Sequence, residues 1–246
     1  MLPPVPLPAP VQLALDEVLL DRVAAGRRQP TLRFWEWTER ALVLGSHQVV
    51  ANEVDAVAAR ELGFTVARRM SGGGTMIVEP GRSITYSLYV PESAVAGLTF
   101  VESFAHLDAW VVDCLRGLGV PASYQPVNDV VSPEGKIGGA AQARRRGFVL
   151  HHAVMAHAMD TAIVPRLIRI GREAVSPRGV RSAEKAVSPL DRWLALSRDE
   201  VVAALTDCFG ERFDGRPGEL RPDELVEARA LAERKYATPE WTDRLS

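Results

Sequence analysis

The chain has 246 residues, 47% of them apolar and 24% charged, with a net charge of -2. Such near-neutral composition describes a soluble globular protein with ample core, and nothing global in it points to nucleic acid. Two distant cysteines, Cys114 and Cys208, offer neither metal-ligand spacing nor a disulfide framework, and the proline-interrupted N-terminus MLPPVPLPAP resembles no signal peptide or membrane span. A cytoplasmic location is expected.

Apolar residues at helical spacing predict a helix over 11–25, and TLRFWEW (31–37) followed by ALVLGSHQ predicts two strands forming a hairpin around Thr38–Arg40. Asn52 is expected to cap a helix bearing Val54, Val57, Ala58 and Leu62 that ends at Gly63, with FTVARRM returning as a strand. TMIVEPG and SITYSLYV read as strands joined by the Pro80-Gly81 turn. A helix is expected over 102–118, its stripe of Phe104, Leu107, Trp110, Val111, Cys114, Leu115 and Leu118 making Cys114 a packing residue rather than a nucleophile. Residues 129–160 alternate strand-like runs with turns at 133–135 and 144–147. Ser197 and Glu200 form a capping box for a helix closed by Gly210, and 224–236 is a second amphipathic helix. Residues 210–222 are the best linker candidate. The expectation is therefore one α+β domain over 1–246, with mixed β-sheets flanked by helices, a helical tail from about 197 and no accessory domain.

Arg68-Arg69-Met70-Ser71-Gly72-Gly73-Gly74 lies between two strands, where glycines let backbone amides approach a bound group and the arginines supply positive charge, a combination suited to an anion. Taken alone it reads better as a tight turn with solvated arginines. Lys136 sits among small residues in Gly135-Lys136-Ile137-Gly138-Gly139-Ala140-Ala141, where it can hold a carboxylate or phosphate or be a solvated hairpin tip. Asn128-Asp129 can turn the chain or contact ribose or a metal-bound phosphate. Neither GxxxxGK[ST] nor GxGxxG is present.

In order and spacing, RRMSGGG (68–74), Asn128-Asp129, Gly135–Ala141 and His151-His152 resemble the RRxSGGG, ND, GKKxxGxA and HH motifs of lipoate-protein ligases. The similarity extends to Leu13–Glu17, Gly45–Gln48 and Lys235-Tyr236-Ala237-Thr238-Pro239-Glu240-Trp241, and so covers practically the whole chain. It implies the catalytic fold of biotin and lipoate ligases. It also implies a two-step reaction, in which ATP and lipoate form lipoyl-AMP and the lipoyl group passes to a lysine of a lipoyl carrier domain, such as a 2-oxoacid dehydrogenase E2 or the glycine cleavage H protein.

By that resemblance Lys136 is the catalytic lysine, holding the acid carbonyl and the α-phosphate. Arg69, Ser71, Gly72, Gly73, Gly74, Gly138, Gly139, Ala140 and His152 bind the acid, and Thr75, Asn128 and Asp129 the nucleotide, with Asp129 toward its Mg2+. Where the family reads GGGxxxHDxG, this chain has Val78 and Glu79, so a polar contact in the acyl pocket is expected to be lost. The end of the chain soon after KYATPEW resembles two-part ligases whose accessory domain is a separate small subunit.

Histidines 151, 152 and 157 form no expected metal site, since adjacent histidines on a strand face opposite ways. Arg144–Arg146 is read as a solvated turn, alternatively a contact for an acidic carrier domain. The rival readings are an octanoyltransferase of the same fold, acting without ATP, and a non-catalytic lipoate- or nucleotide-binding protein. The cysteine-dependent transferase branch is disfavoured because Tyr124–Val131 holds no cysteine, and a biotin ligase because RGRxGR is absent.

Overall fold

The structure, a computed structural model, describes residues 1–245. In chain order the elements are β1 (Pro6–Leu7), α1 (Ala9–Ala24), β2 (Thr31–Trp37), β3 (Ala41–Leu44), α2 (Val50–Glu53), α3 (Ala56–Glu61), β4 (Thr65–Arg68), β5 (Met76–Val78) and β6 (Ser83–Pro91). Then follow α4 (Phe100–Gly117), β7 (Ser123–Gln125), β8 (Asp129–Ser132), β9 (Gly135–Arg145), β10 (Phe148–Ala156), α5 (Val164–Leu167), α6 (Arg198–Phe213), α7 (Pro222–Leu231) and α8 (Pro239–Thr242). A seven-stranded sheet runs β1-β2-β6-β10-β9-β8-β7 and a three-stranded sheet runs β4-β3-β5; each contains parallel and antiparallel pairs, giving the mixed α+β architecture the sequence predicts.

Helices cover both faces of the large sheet. Leu32, Phe34, Ile84, Tyr86 and Leu88 pack against α4 and α6, whereas Trp35, Trp37, Tyr89 and Leu150 pack against α1 and the Ala228–Tyr236 region. This double burial is why β6 reads as SITYSLYV, apolar or small throughout. The small sheet has its own core, Leu42, Leu44 and Ile77 against Val54, Phe64, Leu167 and Ile168.

Three local expectations change. β2 and β3 are not a hairpin: β2 pairs with β6 and β3 with β4 and β5, so the Thr38–Arg40 turn passes the chain between sheets. Pro80-Gly81 turns the chain between β5 and β6 as expected, with Gly81 at φ 68, and the two strands belong to different sheets. Asn52 caps no helix; α3 is capped by Asp55, which accepts from the Ala58 N–H at 3.1 Å, while the Asn52 amide binds the backbone of residues 175–178. α6 continues through Gly210 to Phe213 and ends at Asp214, which adopts φ 49. The Ser197–Glu200 capping box and the apolar face of α4 form as the sequence indicates.

Candidate active site

A cavity of about 330 Å³ opens where β9 and β10, the glycine loop after β4 and the segment 159–187 converge. Its floor is hollow because β9 carries Gly138, Gly139, Ala140 and Ala141 there. A Cβ on Gly139 would stand 2.6 Å from Lys136 Nζ, so the missing side chain is what lets Lys136 fold across the floor.

Lys136 Nζ lies 2.8 Å from Oδ1 of Asp129, whose side chain is only 2% exposed, and Lys185 Nζ pairs with the other carboxylate oxygen. Burial pushes the Lys136 ammonium below its ordinary value, while Asp129 draws it back up and Lys185 and Arg69 add repulsion. The Lys136 backbone is fixed too: its N–H donates to Ala186 O and its carbonyl accepts from Ser188 N–H, each at 2.8 Å.

The arginines of the glycine loop are not free anion donors. Arg69 is buried and spends its guanidinium on Val43 O (2.9 Å), Gly72 O (2.5 Å), Gly74 O (2.8 Å) and Ser71 Oγ (3.0 Å). Arg68 turns away from the cavity to Gly45 O, Gln48 O and Thr242 O. Burial lowers both guanidinium groups to about 10, which leaves them charged near neutral pH. Both therefore shape the loop from within. The loop also lies against Gly45, where a Cβ would fall 2.1 Å from Gly73 O.

His152 lines the cavity and continues a buried chain. Arg69 Nε donates to Ser71 Oγ, Ser71 lies 2.6 Å from His152 Nε2, and His152 Nδ1 lies 2.8 Å from Asp16. Asp16 also accepts from Arg33, Ser87 and Tyr89. Burial outweighs Asp16 and lowers the His152 pKa, so the neutral ring with its proton on Nδ1 satisfies the network. His151 points to the opposite face, 2.7 Å from Asp108.

Of the residues singled out by sequence, Arg69, Gly73, Gly74, Thr75, Asn128, Asp129, Lys136, Gly138, Gly139, Ala140 and His152 line the cavity. Ser71 and Gly72 are not among the lining residues; Ser71 is 1% exposed and supports His152 from behind. Asn128 donates its side-chain amide to Ala140 O at 2.5 Å, tying β8 to the cavity floor. Val78 is fully buried in the core between α1 and the sheets, and its neighbour Ile77 lines the cavity. Arg145 is no solvated turn residue: it pairs with Glu17 at 2.9 Å and Asp21 at 3.5 Å.

Neither cysteine lines the cavity; burial and neighbouring Cys208 push the Cys114 thiol up to about 12. Both Asp129 oxygens face ammonium groups, and among the described residues no three His, Cys, Asp or Glu side chains are grouped to hold a metal. The residues present do not fit a protein-held Mg2+.

Sequence reading missed the far wall, Arg181, Ser182 and Lys185. Buried Glu53 accepts from the Ser182 N–H at 3.1 Å and from its hydroxyl, and Thr75 N–H donates to Ser182 Oγ at 2.9 Å. Residues 169–187 have no periodicity to reveal them, and their run of basic side chains was the only available signal.

A glycine loop and a lysine over a hollow strand meet at one cavity on a two-sheet α+β scaffold. Residues 8–210 match the model of the lipoyl protein ligase A/B catalytic domain, and the chain belongs to that family. It is 31% identical to lipoate-protein ligase A subunit 1 of Thermoplasma acidophilum, over 94% of this chain and 90% of that protein. It is also 28% identical to octanoyltransferase LipM of Geobacillus kaustophilus, over 95% and 94%. A lipoate-protein ligase A solved with ATP bound superposes with a TM-score of 0.82 at 28% identity, covering 100% of this chain and 98% of the other. Among the described residues no helix is long and apolar enough to cross a membrane.

Proposed function

We propose that this enzyme activates lipoate, or the related octanoate, with ATP and passes the acyl group to a lysine of a lipoyl carrier domain. The observation that carries the reading is the pairing of Lys136 with Lys185 on Asp129 in a cavity that no cysteine lines. In the first step a carboxylate oxygen of the acid attacks the α-phosphorus and pyrophosphate leaves. In the second the carrier amine attacks the acyl carbonyl, AMP leaves and the amine loses a proton. Negative charge grows on phosphoryl oxygens and then on the carbonyl oxygen, and an ammonium held in place beforehand stabilises both without reorganising. Lys136 fills that role, and Ile77, Met159, Val164 and Ile168 supply apolar wall. The reading needs no covalent enzyme intermediate.

Octanoyl transfer from a carrier protein without ATP is the second reading, supported by the octanoyltransferase relative. A separate small subunit is proposed for adenylation, on the likeness to a ligase subunit 1. Mass spectrometry of a lipoyl domain incubated with the enzyme tests these together. With the small subunit supplied, ATP, Mg2+ and lipoate should add a lipoyl group, whereas product only from octanoyl carrier protein makes it a transferase and product from neither makes it a binding protein. Full ligation by the purified chain alone would remove the subunit from the scheme.

A further inference from the structure

Lys136 and Lys185 reach the same carboxylate from adjacent backbone segments. Each is fixed by its backbone: Lys136 in β9, and Lys185 directly before Ala186–Ser188, which bridges to Lys136 through two 2.8 Å hydrogen bonds. Ser188 is anchored in turn by Ser132 and Trp193. Asp129 is buried, yet the two lysine side chains are 30% and 39% exposed, and both line the cavity. Each ammonium has three N–H donors, so one bond to Asp129 leaves donors for a ligand. The carboxylate separates the two cations by the span of a pair of oxygens on one anionic group, and Arg69 adds positive charge beneath.

We propose that Lys185 is a second ligand-binding residue, and that it and Lys136 clamp one phosphoryl group of a nucleotide between them, with Asp129 holding the pair at that spacing. The nucleotide's role as activator rests on the reading above, whereas the clamp itself does not. Its chemistry is that of two point charges bridging two non-bridging oxygens.

Calorimetric titration of AMP, inorganic phosphate and octanoate into the wild type, Lys185→Ala and Lys185→Arg tests the clamp. Expected is AMP binding by the wild type, weakened about tenfold or more in Lys185→Ala, largely restored in Lys185→Arg, and octanoate binding unchanged. Phosphate is expected to compete with AMP. Equal AMP binding by wild type and Lys185→Ala, no AMP binding by the wild type, or a loss confined to octanoate would each overturn the proposal. Acetylation of the wild type with and without AMP needs no variant: protection of both lysines is expected, and protection of Lys136 alone overturns the clamp. Lys185-dependent AMP binding without ATP-driven lipoylation, even with the small subunit supplied, would leave the clamp standing and remove the ligase reading.

Discussion

His152 on β10 and Asp16 on α1 are joined by a 2.8 Å contact between ring Nδ1 and carboxylate, 136 residues apart in sequence. Asp16 also balances buried Arg33 at 3.0 Å. Asp16→Ala leaves that guanidinium without its counter-charge, and a loss of about 3–5 kcal/mol in chemical denaturation is expected. Asp16→Asn keeps the shape and should cost less.

The same ring makes stability depend on pH. Its folded pKa lies below the unfolded value of 6.5, so between the two the unfolded state binds more protons. The neutral ring's contribution is complete above 6.5 and declines as pH falls toward the folded pKa. Urea midpoints at pH 7.5 and 5.5 should therefore differ more for the wild type than for His152→Gln; an equal difference refutes the assignment.

Lys136 faces the cavity as a cation whose pKa is lowered by burial. Competitive acetylation followed across pH should show it reaching half-reactivity below the ordinary lysine value of 10.5. Lys136→Ala should reduce carrier lipoylation by about a hundredfold or more while the fold persists, because charge developing in the reaction loses its fixed partner.

Gly139→Ala places a methyl group 2.6 Å from Lys136 Nζ and 3.1 Å from Asp129 Oδ1. The lysine tip is flexible enough to move, so the protein should fold with near-normal stability. Displacement of that tip by about 1 Å is expected to cost on the order of a hundredfold in activity. A fully active, folded variant would show that Lys136 acts from another position.

Arg68 binds the C-terminal helix to the segment after β3, since its side chain reaches Thr242 O and Gly45 O while its carbonyl accepts from Trp241 Nε1 at 2.9 Å. Arg68→Ala removes the donor to buried Gln48 O and to Thr242 O, and about 2–4 kcal/mol of stability should be lost in guanidinium unfolding. Replacing Cys114 and Cys208 together with serine, by contrast, should leave acyl transfer in place if neither thiol acts on the substrate, as measured by carrier mass shift.

The sequence by itself determined the helical stripe of α4, the capping box at Ser197, the strands around the glycine loop and the order of motifs that brings Arg69, Asn128, Lys136 and His152 into one family pattern. These are local signals, carried by periodicity, caps and short spacings. Tertiary structure decided which strands pair, because both faces of the large sheet are buried and apolar runs such as SITYSLYV carry no register. It also decided that Arg68 and Arg69 serve backbone carbonyls rather than a ligand, that Val78 lies in the core, and that Lys185, from a segment without periodicity, meets Lys136 on Asp129. The Lys185 pairing brings together residues 49 to 56 positions apart, and no local pattern encodes that meeting.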